Sequence, residues 1–248
     1  MHQASTEQFR KDLSAIAAAP ARNRKPLRAT DTKRFLLGYY ANVDAEDIAS
    51  RDPTELAMSA LSHLQFARQR RGRALVRVFN PTVREHGYSS PHTVIEMVND
   101  DMPFLVDSVG LPLARRALTL HFMAHPIFAV ARDGAGVLRS VEERGGTDKH
   151  QRLESFQHVE VDRIVDPAVL QSLCAEIERS MRDVRVACAD WDKMRAAARQ
   201  TADDLNSLST RFDSRDVSEA QELLAWMEDR HFTFLGYKEY RLRSRRAG

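Results

Sequence analysis

The sequence predicts an α+β fold, a ferredoxin-like antiparallel sheet with two covering helices on one face, flanked by helical segments. Three observations predict it. The residue period changes from helix-like to strand-like at residue 74, and the middle third then runs strand, helix, strand, strand, strand, helix. The third is the turn Asp133-Gly134-Ala135-Gly136, which joins two β-rich runs and is too short for the crossover of about a dozen residues that a parallel pair needs. A parallel α/β sheet is therefore the weaker alternative.

Residues 5–19 have helical composition and lead into "AAAPARNRKP", whose two prolines and basic residues predict a connector. After "FLLGYYANV", Asp52 is placed to cap a helix and Pro53 to occupy its first position, where a missing N–H costs nothing. Leu56, Ala60, Leu61, Leu64 and Ala67 share one face, and Gly72 is the expected stop. Residues 1–72 are thus expected to form an N-terminal helical segment.

Residues 73–188 are expected to hold the sheet. "ALVRVFNP" and "HTVIEMVND" read as strands, and "FLVDSVGLPLARRALTL" as a helix with Leu105, Val109, Leu113, Ala117 and Leu120 in its stripe. A kink is expected at Pro112, since an internal proline removes a hydrogen bond and costs roughly 3 kcal/mol. "MAHPIFAVARDGAGVLRSVEE" reads as a hairpin. "ESFQHVEVDR" alternates Val159 and Val161 with His158, Glu160 and Asp162, which predicts a strand with one wet face. Asp166 and Pro167 then open a helix that buries Leu170, Leu173, Ile177, Met181 and Val184.

Residues 189–231 read as a helical connector ending in an amphipathic helix, "DVSEAQELLAWMEDR". Residues 232–248 contain "HFTFLGYKEYRL", a strand that either completes this sheet or starts a following module. An aromatic strand with nothing after it suggests a part of a longer protein.

The charge balance, 37 basic against 35 acidic residues, gives no overall field that marks nucleic acid or an acidic membrane as partner. The basic clusters "RQRRGR" (68–73) and "RLRSRR" (241–246) lack interleaved aromatics and read as a solvated helix end and a chain terminus, so no nucleic-acid partner is expected. Cys174 and Cys188 lack zinc or redox spacing and read as reduced thiols. With neither a signal peptide nor an apolar run of about 18 residues, the expected chain is soluble and cytoplasmic, with no membrane partner.

For chemistry, the junction "NDDMPFLVDSVG" stands out. Asp100, Asp101 and Asp107 offer a metal site or an acid and base pair, but adjacent acids at a strand end diverge, so capping of the next helix by Asp101 is the simpler account. A third reading is a strand-to-helix loop whose free backbone N–H groups receive a ligand's carboxylate. His121 and His125 lie roughly 13 Å apart along a strand, too far for one ion, and read as structural. His158, Glu160 and Asp162 read as a solvated row pairing with arginines. The G-x-G at 134–136 has Arg139 where the third glycine is required, so it is no dinucleotide fingerprint, and neither a cofactor nor a metal is expected in this chain.

These motifs also carry a resemblance. "NDDMPFLVDSV", "HFMAHPIFAVARDGAGVL", "ESFQHVEVDR" and "LLAWMEDRHFTFLGYKEY", preceded by "FLLGYYANVDAEDIASRDPTELAMSALSHLQFAR", resemble in order the N-terminal region of the large bacterial NAD-specific glutamate dehydrogenases. The resemblance covers residues 33–242. It implies ACT-type modules, ferredoxin-like folds that elsewhere bind amino acids and regulate attached enzymes. It also implies a homo-oligomer, a downstream catalytic region that uses NAD, and no catalytic residue in this fragment. Asp101, Met102 and Pro103 match the first three positions of the D-x-P-G of ACT loops, and Phe104 stands in place of the glycine. The implied effector site comprises Asn99, Asp100, Asp101, Met102, Pro103, Phe104, Leu105 and Asp107, with Phe104 expected to crowd the close backbone approach that glycine permits.

Overall fold

The structure is a computed structural model that describes residues 11, 27–143, 151–208 and 212–240. Most of the helix expected at 5–19, its connector and the basic tail at 241–246 lie outside the described residues. The chain divides into two compact units, Met1–Arg182 and Asp183–Gly248.

The first unit opens with helices α1 (Ala29–Tyr39), α2 (Ala45–Ala49) and α3 (Pro53–Phe66). As its sequence predicts, α3 starts with Pro53 behind an Asp52 carboxylate that accepts from the N–H groups of Thr54 (2.6 Å) and Glu55 (3.2 Å). It stops at Phe66 rather than at Gly72, because residues 68–70 leave the helix to pair with the later hairpin.

Among the described residues six strands follow: β1 (Leu75–Phe79), β2 (Thr93–Asp100), β3 (Leu120–Ala124), β4 (Ile127–Arg132), β5 (Leu138–Glu143) and β6 (Arg152–Val161). A one-turn helix α4 (Val83–His86) separates β1 from β2, and α5 (Leu105–Arg115) separates β2 from β3. Every pairing is antiparallel, in the order β1-β2-β6-β4-β5 with β3 also on β6. β3 and β4 lie end to end along β6, opposite Val161–His158 and Ser155–Arg152 respectively. Pro126 divides them because it has no N–H to give, although its carbonyl still accepts from Phe156 N–H at 2.9 Å.

The run β2, α5, β3 with β4, β6 and then α6 (Pro167–Leu205) follows the ferredoxin-like order. The place beside β2 that the last strand of such a fold takes is filled by β1, which precedes it in the chain.

Helices cover both faces of the sheet: the two expected ones, α5 and α6, share one face, and the preceding helices α1 and α3 cover the other. On the first face Phe35, Leu36 and Tyr39 of α1 and Leu56, Ala60 and Leu64 of α3 pack with Val98, Phe122, Phe128, Val130 and Phe156. On the second, Leu105, Val109 and Leu113 of α5 and Leu173, Ile177 and Met181 of α6 are buried. The Cys174 thiol reaches the Val76 carbonyl, and the Asn99 amide lies 4.0 Å from Met181 Sδ. The wet face expected on β6 is therefore absent: Glu154, His158 and Glu160 face the first layer and are 1%, 1% and 4% exposed. α5 runs through Pro112 without ending there, but stops at Arg115, leaving Ala117 and Leu120 outside the predicted stripe.

The β4–β5 hairpin is built as its sequence predicts. Asp133 Oδ1 accepts from Ala135 N–H and Val137 N–H, both at 2.9 Å, and Gly136 takes φ +81°. A Cβ on Gly136 would stand 2.2 Å from the Arg70 carbonyl, because residues 68–70 run against this hairpin through a Gln69–Val137 bridge. The reading of "RQRRGR" as a solvated helix end is corrected by that pairing: Arg70 is 4% exposed.

In the second unit α6 continues to Leu205, followed by a 3₁₀ turn (Asn206–Leu208), α7 (Ser214–Trp226) and a π turn (Met227–His231). Asp213 caps α7 by accepting from Arg215 N–H at 2.8 Å, and Glu228 accepts from both Arg195 and Arg199. The strand expected from 232 is not formed over residues 232–240, since no β ladder among the described residues reaches them.

Candidate functional site

The loop from β2 to α5 is the first place to look. β2 delivers Asn99 and Asp100 at its end, and Asp101 N–H extends the ladder by one bond to the Leu153 carbonyl at 2.9 Å. The adjacent acids then diverge. Asp100 Oδ1 accepts from Arg70 Nη1 at 2.7 Å, whereas the charge of Asp101 acts on His125, on the other side of the strand. Asp107 is exposed on α5 and Leu105 is buried. An acid and base pair is thus not assembled, and among the described residues no group of three or more His, Cys, Asp or Glu side chains could hold a metal.

Capping by Asp101 is overturned as well. The residue before α5 is Phe104, at φ +67° and ψ 10°, and no side chain caps the helix. A left-handed residue makes the turn, so Asp101 never reaches the first-turn amides. Phe104 thus adopts the backbone that glycine of a D-x-P-G loop adopts without cost, while its side chain is 36% exposed. Of the eight expected effector residues, Met102, Pro103 and Phe104 form the turn and Leu105 and Asp107 start the helix. Asn99 and Asp100 point into packed structure instead, with Asn99 2% exposed.

The left-handed conformation costs a side-chain-bearing residue about 1–2 kcal/mol, and glycine's extra chain entropy offsets about 0.5–1 kcal/mol of the relief. Phe104→Gly is therefore expected to leave stability unchanged or raise it by up to about 1 kcal/mol. Urea denaturation checks this: a loss above about 2 kcal/mol would mean that the ring, not the backbone, holds the loop.

The first face of the sheet holds two ion-pair clusters, one at the loop end of β2 and one toward its start. In the first, Glu154 sits between two guanidinium groups, accepting from Arg70 Nη1 at 2.8 Å and from Arg132 Nε and Nη2 at 2.7 Å each. Arg70 also donates to the Arg73 carbonyl, and Arg132 to the carbonyls of Ala67 and Gly136. In the second, a row across the sheet pairs Arg77 with Glu96 and Glu96 with His158. Arg77 Nε donates to Glu96 Oε2 at 2.8 Å, and Arg51 forks onto Glu160 at 2.8 and 3.1 Å while its guanidinium lies over the Phe122 ring. His158 stands between the carboxylates, 3.4 Å from Glu96 and 3.5 Å from Glu160.

Burial would raise the carboxyl pKa values of Glu96 and Glu160, but their cationic neighbours outweigh it. His63, which is protonated in that acid range, His158 and Arg77 hold Glu96 at about 2, and His158 and Arg51 hold Glu160 at about 2. Burial would depress His158, yet its bonds to Glu160 and Glu96 raise it. His63 is pushed down to about 4 by burial. Its Nε2 lies 3.2 Å from the Met97 carbonyl and its Nδ1 2.5 Å from Tyr39 Oη, so Nε2–H donates, the Tyr39 hydroxyl donates to Nδ1, and the neutral ring is satisfied.

The remaining expected residues are scattered. His121 bonds Asp162 at 2.7 Å and stacks on His92 with ring centres 4.2 Å apart, while His125 bonds Ser155 Oγ at 2.6 Å. Asp162 lies just beyond β6 and also accepts from Thr119 N–H, so the row His158, Glu160, Asp162 does not share one environment. Sequence reasoning missed His63, Arg70, Glu96, Arg132 and Glu154. For Glu96 and Arg132 the usable signal was a charged residue in a mostly apolar strand, whereas Glu154 among the polar residues of β6, His63 on α3 and Arg70 in the segment after it carry no such signal.

The sheet, its two helices and the β2–α5 turn define an ACT-type α+β module. The family model for the glutamate dehydrogenase ACT1 domain matches residues 35–177, and the chain belongs to that family. It is 40% identical over 218 residues to an NAD-specific glutamate dehydrogenase of Halomonas elongata, which covers 87% of this chain and 14% of that protein. The NAD-specific glutamate dehydrogenase of Pseudomonas aeruginosa is 32% identical over 207 residues, 83% of this chain and 13% of that protein. That of Mycobacterium tuberculosis is 28% identical over 150 residues, 60% of this chain and 9% of that protein. The chain therefore spans about one seventh of the length of the first two relatives. No helix among the described residues is long and apolar enough to cross a membrane.

Proposed function

We propose that this chain is the N-terminal regulatory and assembly region of a cytoplasmic, homo-oligomeric NAD-specific glutamate dehydrogenase. The region is itself non-catalytic, and the parent enzyme converts L-glutamate, NAD and water to 2-oxoglutarate, ammonia and NADH in a downstream region of the same polypeptide, where NAD binds. The observation that carries this reading is the match to the ACT1 domain over residues 35–177, joined with relatives about six times as long as this chain and named for that activity. The domain limits we adopt for it are 1–72, 73–188, 189–231 and 232–248, although the helices before residue 72 share a core with the sheet.

An amino-acid effector is the finer part of the proposal. The uncapped start of α5 leaves first-turn amides for a ligand carboxylate, and Met102, Pro103 and Phe104 shape the approach. Asp101 and Asp107 would meet the ligand's ammonium group. A coupling of about 1–3 kcal/mol would change the parent's activity several-fold. Calorimetric titration of the 248-residue chain with each amino acid should give saturable heat with at least one, weakened by Asp101→Ala. Silence across the panel would remove the effector and leave an assembly scaffold. In the parent enzyme, Asp101→Ala should displace the effector's activation curve, and an unchanged curve would count against regulation through this loop.

A further inference from the structure

A cavity of about 950 Å³ opens in the first unit between residues 70–72, the β4–β5 turn and the start of β6. It is lined by Arg70, Arg71, Arg132 and Arg152 together with Asp133 and Glu154. Both carboxylates are already committed. Glu154 lies between Arg70 and Arg132, and Asp133 accepts from two amides of its own turn and from Arg139. Glu154 and Asp100 balance Arg70 and Arg132, and Asp133 balances Arg139, so Arg71 and Arg152 remain as excess positive charge on a concave space, which attracts anions.

The cations are also held in place. Arg70, with a side chain 3% exposed, is fixed by Asp100, Glu154 and the Arg73 carbonyl, and Arg132 by Glu154 and two main-chain carbonyls. Arg71 is tethered through Nε to the Ala135 carbonyl, which leaves the outer nitrogens of its fork for a ligand, and Arg152 stands exposed at the first residue of β6. Guanidinium forks pair bidentately with carboxylate and phosphate, and ordering them before the ligand arrives lowers the entropic cost of binding. The volume lies in the range of small-molecule sites, yet no aromatic ring among the described lining residues offers a platform for a nucleobase.

We propose that this cavity binds a small polyanion, a molecule bearing two or more carboxylate or phosphate groups, with Arg71 and Arg152 as the contacting forks beside the fixed Arg70–Glu154–Arg132 cluster. The site is separate from the β2–α5 loop and stands whether or not that loop takes an effector.

Calorimetric titration of the 248-residue chain with pyrophosphate and, separately, with succinate, each up to about 10 mM at low salt, tests this. Saturable binding of at least one is expected, the tighter probe telling phosphate from carboxylate, and affinity should fall as salt rises from about 50 to 200 mM. Arg71→Ala with Arg152→Ala should weaken binding at least about tenfold while the melting temperature holds, because both side chains are exposed. Absence of saturable heat with both probes, or equal affinity in the double variant, would overturn the proposal.

Discussion

Glu154→Ala is expected to cost about 3–5 kcal/mol of folding stability, the range for removing one partner from a buried ion pair. The carboxylate is 2% exposed and satisfies two guanidinium groups at once. Deleting it leaves Arg132, whose side chain is 12% exposed, beside Arg70 with no charge between them. Asp100 retains one bond to Arg70, so the loss falls mainly on Arg132. Glu154→Gln keeps the shape and some hydrogen bonds but not the charge, and should cost less. Because the alanine variant consumes a large share of a domain's 5–15 kcal/mol, the glutamine variant and Arg132→Met form the cycle measured by urea unfolding. Arg132→Met with Glu154→Gln should be less destabilised than the sum of the two, and additive losses would show that the cluster is not coupled.

Stability should also fall steadily as the medium is acidified from about pH 6.5. His63 titrates near 4 in the folded chain against 6.5 ordinarily, so between those values the unfolded chain binds more protons and acid favours unfolding. That shift alone is worth on the order of 3 kcal/mol. Glu96 and Glu160, held at about 2 against 4.5, contribute stability that is whole above 4.5 and lost as pH falls through 2. His158 acts in the opposite sense, since its raised value gives a contribution present in acid and lost as pH rises through its folded pKa. His86 and His125, also lowered by burial, add to the acid-side slope, so the decisive comparison is with His63→Gln. That variant should lose the part of the slope between about 6.5 and 4. Equal urea midpoints for the parent chain at those two pH values would contradict the assignment.

Much of the sheet was legible because its signals are local. Asp133 and Gly136 mark the hairpin, Asp52 with Pro53 and Asp166 with Pro167 open their helices, and valine-rich runs mark β1 and β2. The second helical layer was not legible in β6, since a strand covered on both faces normally reads as continuously apolar, whereas this one buries Glu154, His158 and Glu160. The two glutamates are neutralised by arginines that lie 109 positions away in the case of Arg51 and 84 in the case of Arg70, and His158 stands between Glu96 and Glu160. No short-range pattern encodes such pairs. At the loop, the D-x-P sequence located the turn, and the comparison with glycine identified the position that Phe104 fills. The left-handed backbone at Phe104 then displaced the cap that Asp101 was expected to provide.

The placement of β1 beside β2 bears on how the chain is made. During synthesis from the N-terminus, α1, α3 and β1 emerge first, with Phe35, Leu36 and Tyr39 already needing partners on β3, β4 and β6. β1 can zip onto β2 early, but β2 must wait for β6, whose first residue comes 52 positions after its last, before its other edge is covered. Until then the nascent chain presents an apolar helical face and an open strand edge together, the combination that chaperones recognise and that promotes aggregation. The order of strands in this sheet therefore sets a window of vulnerability on the ribosome that closes only when residue 161 has emerged.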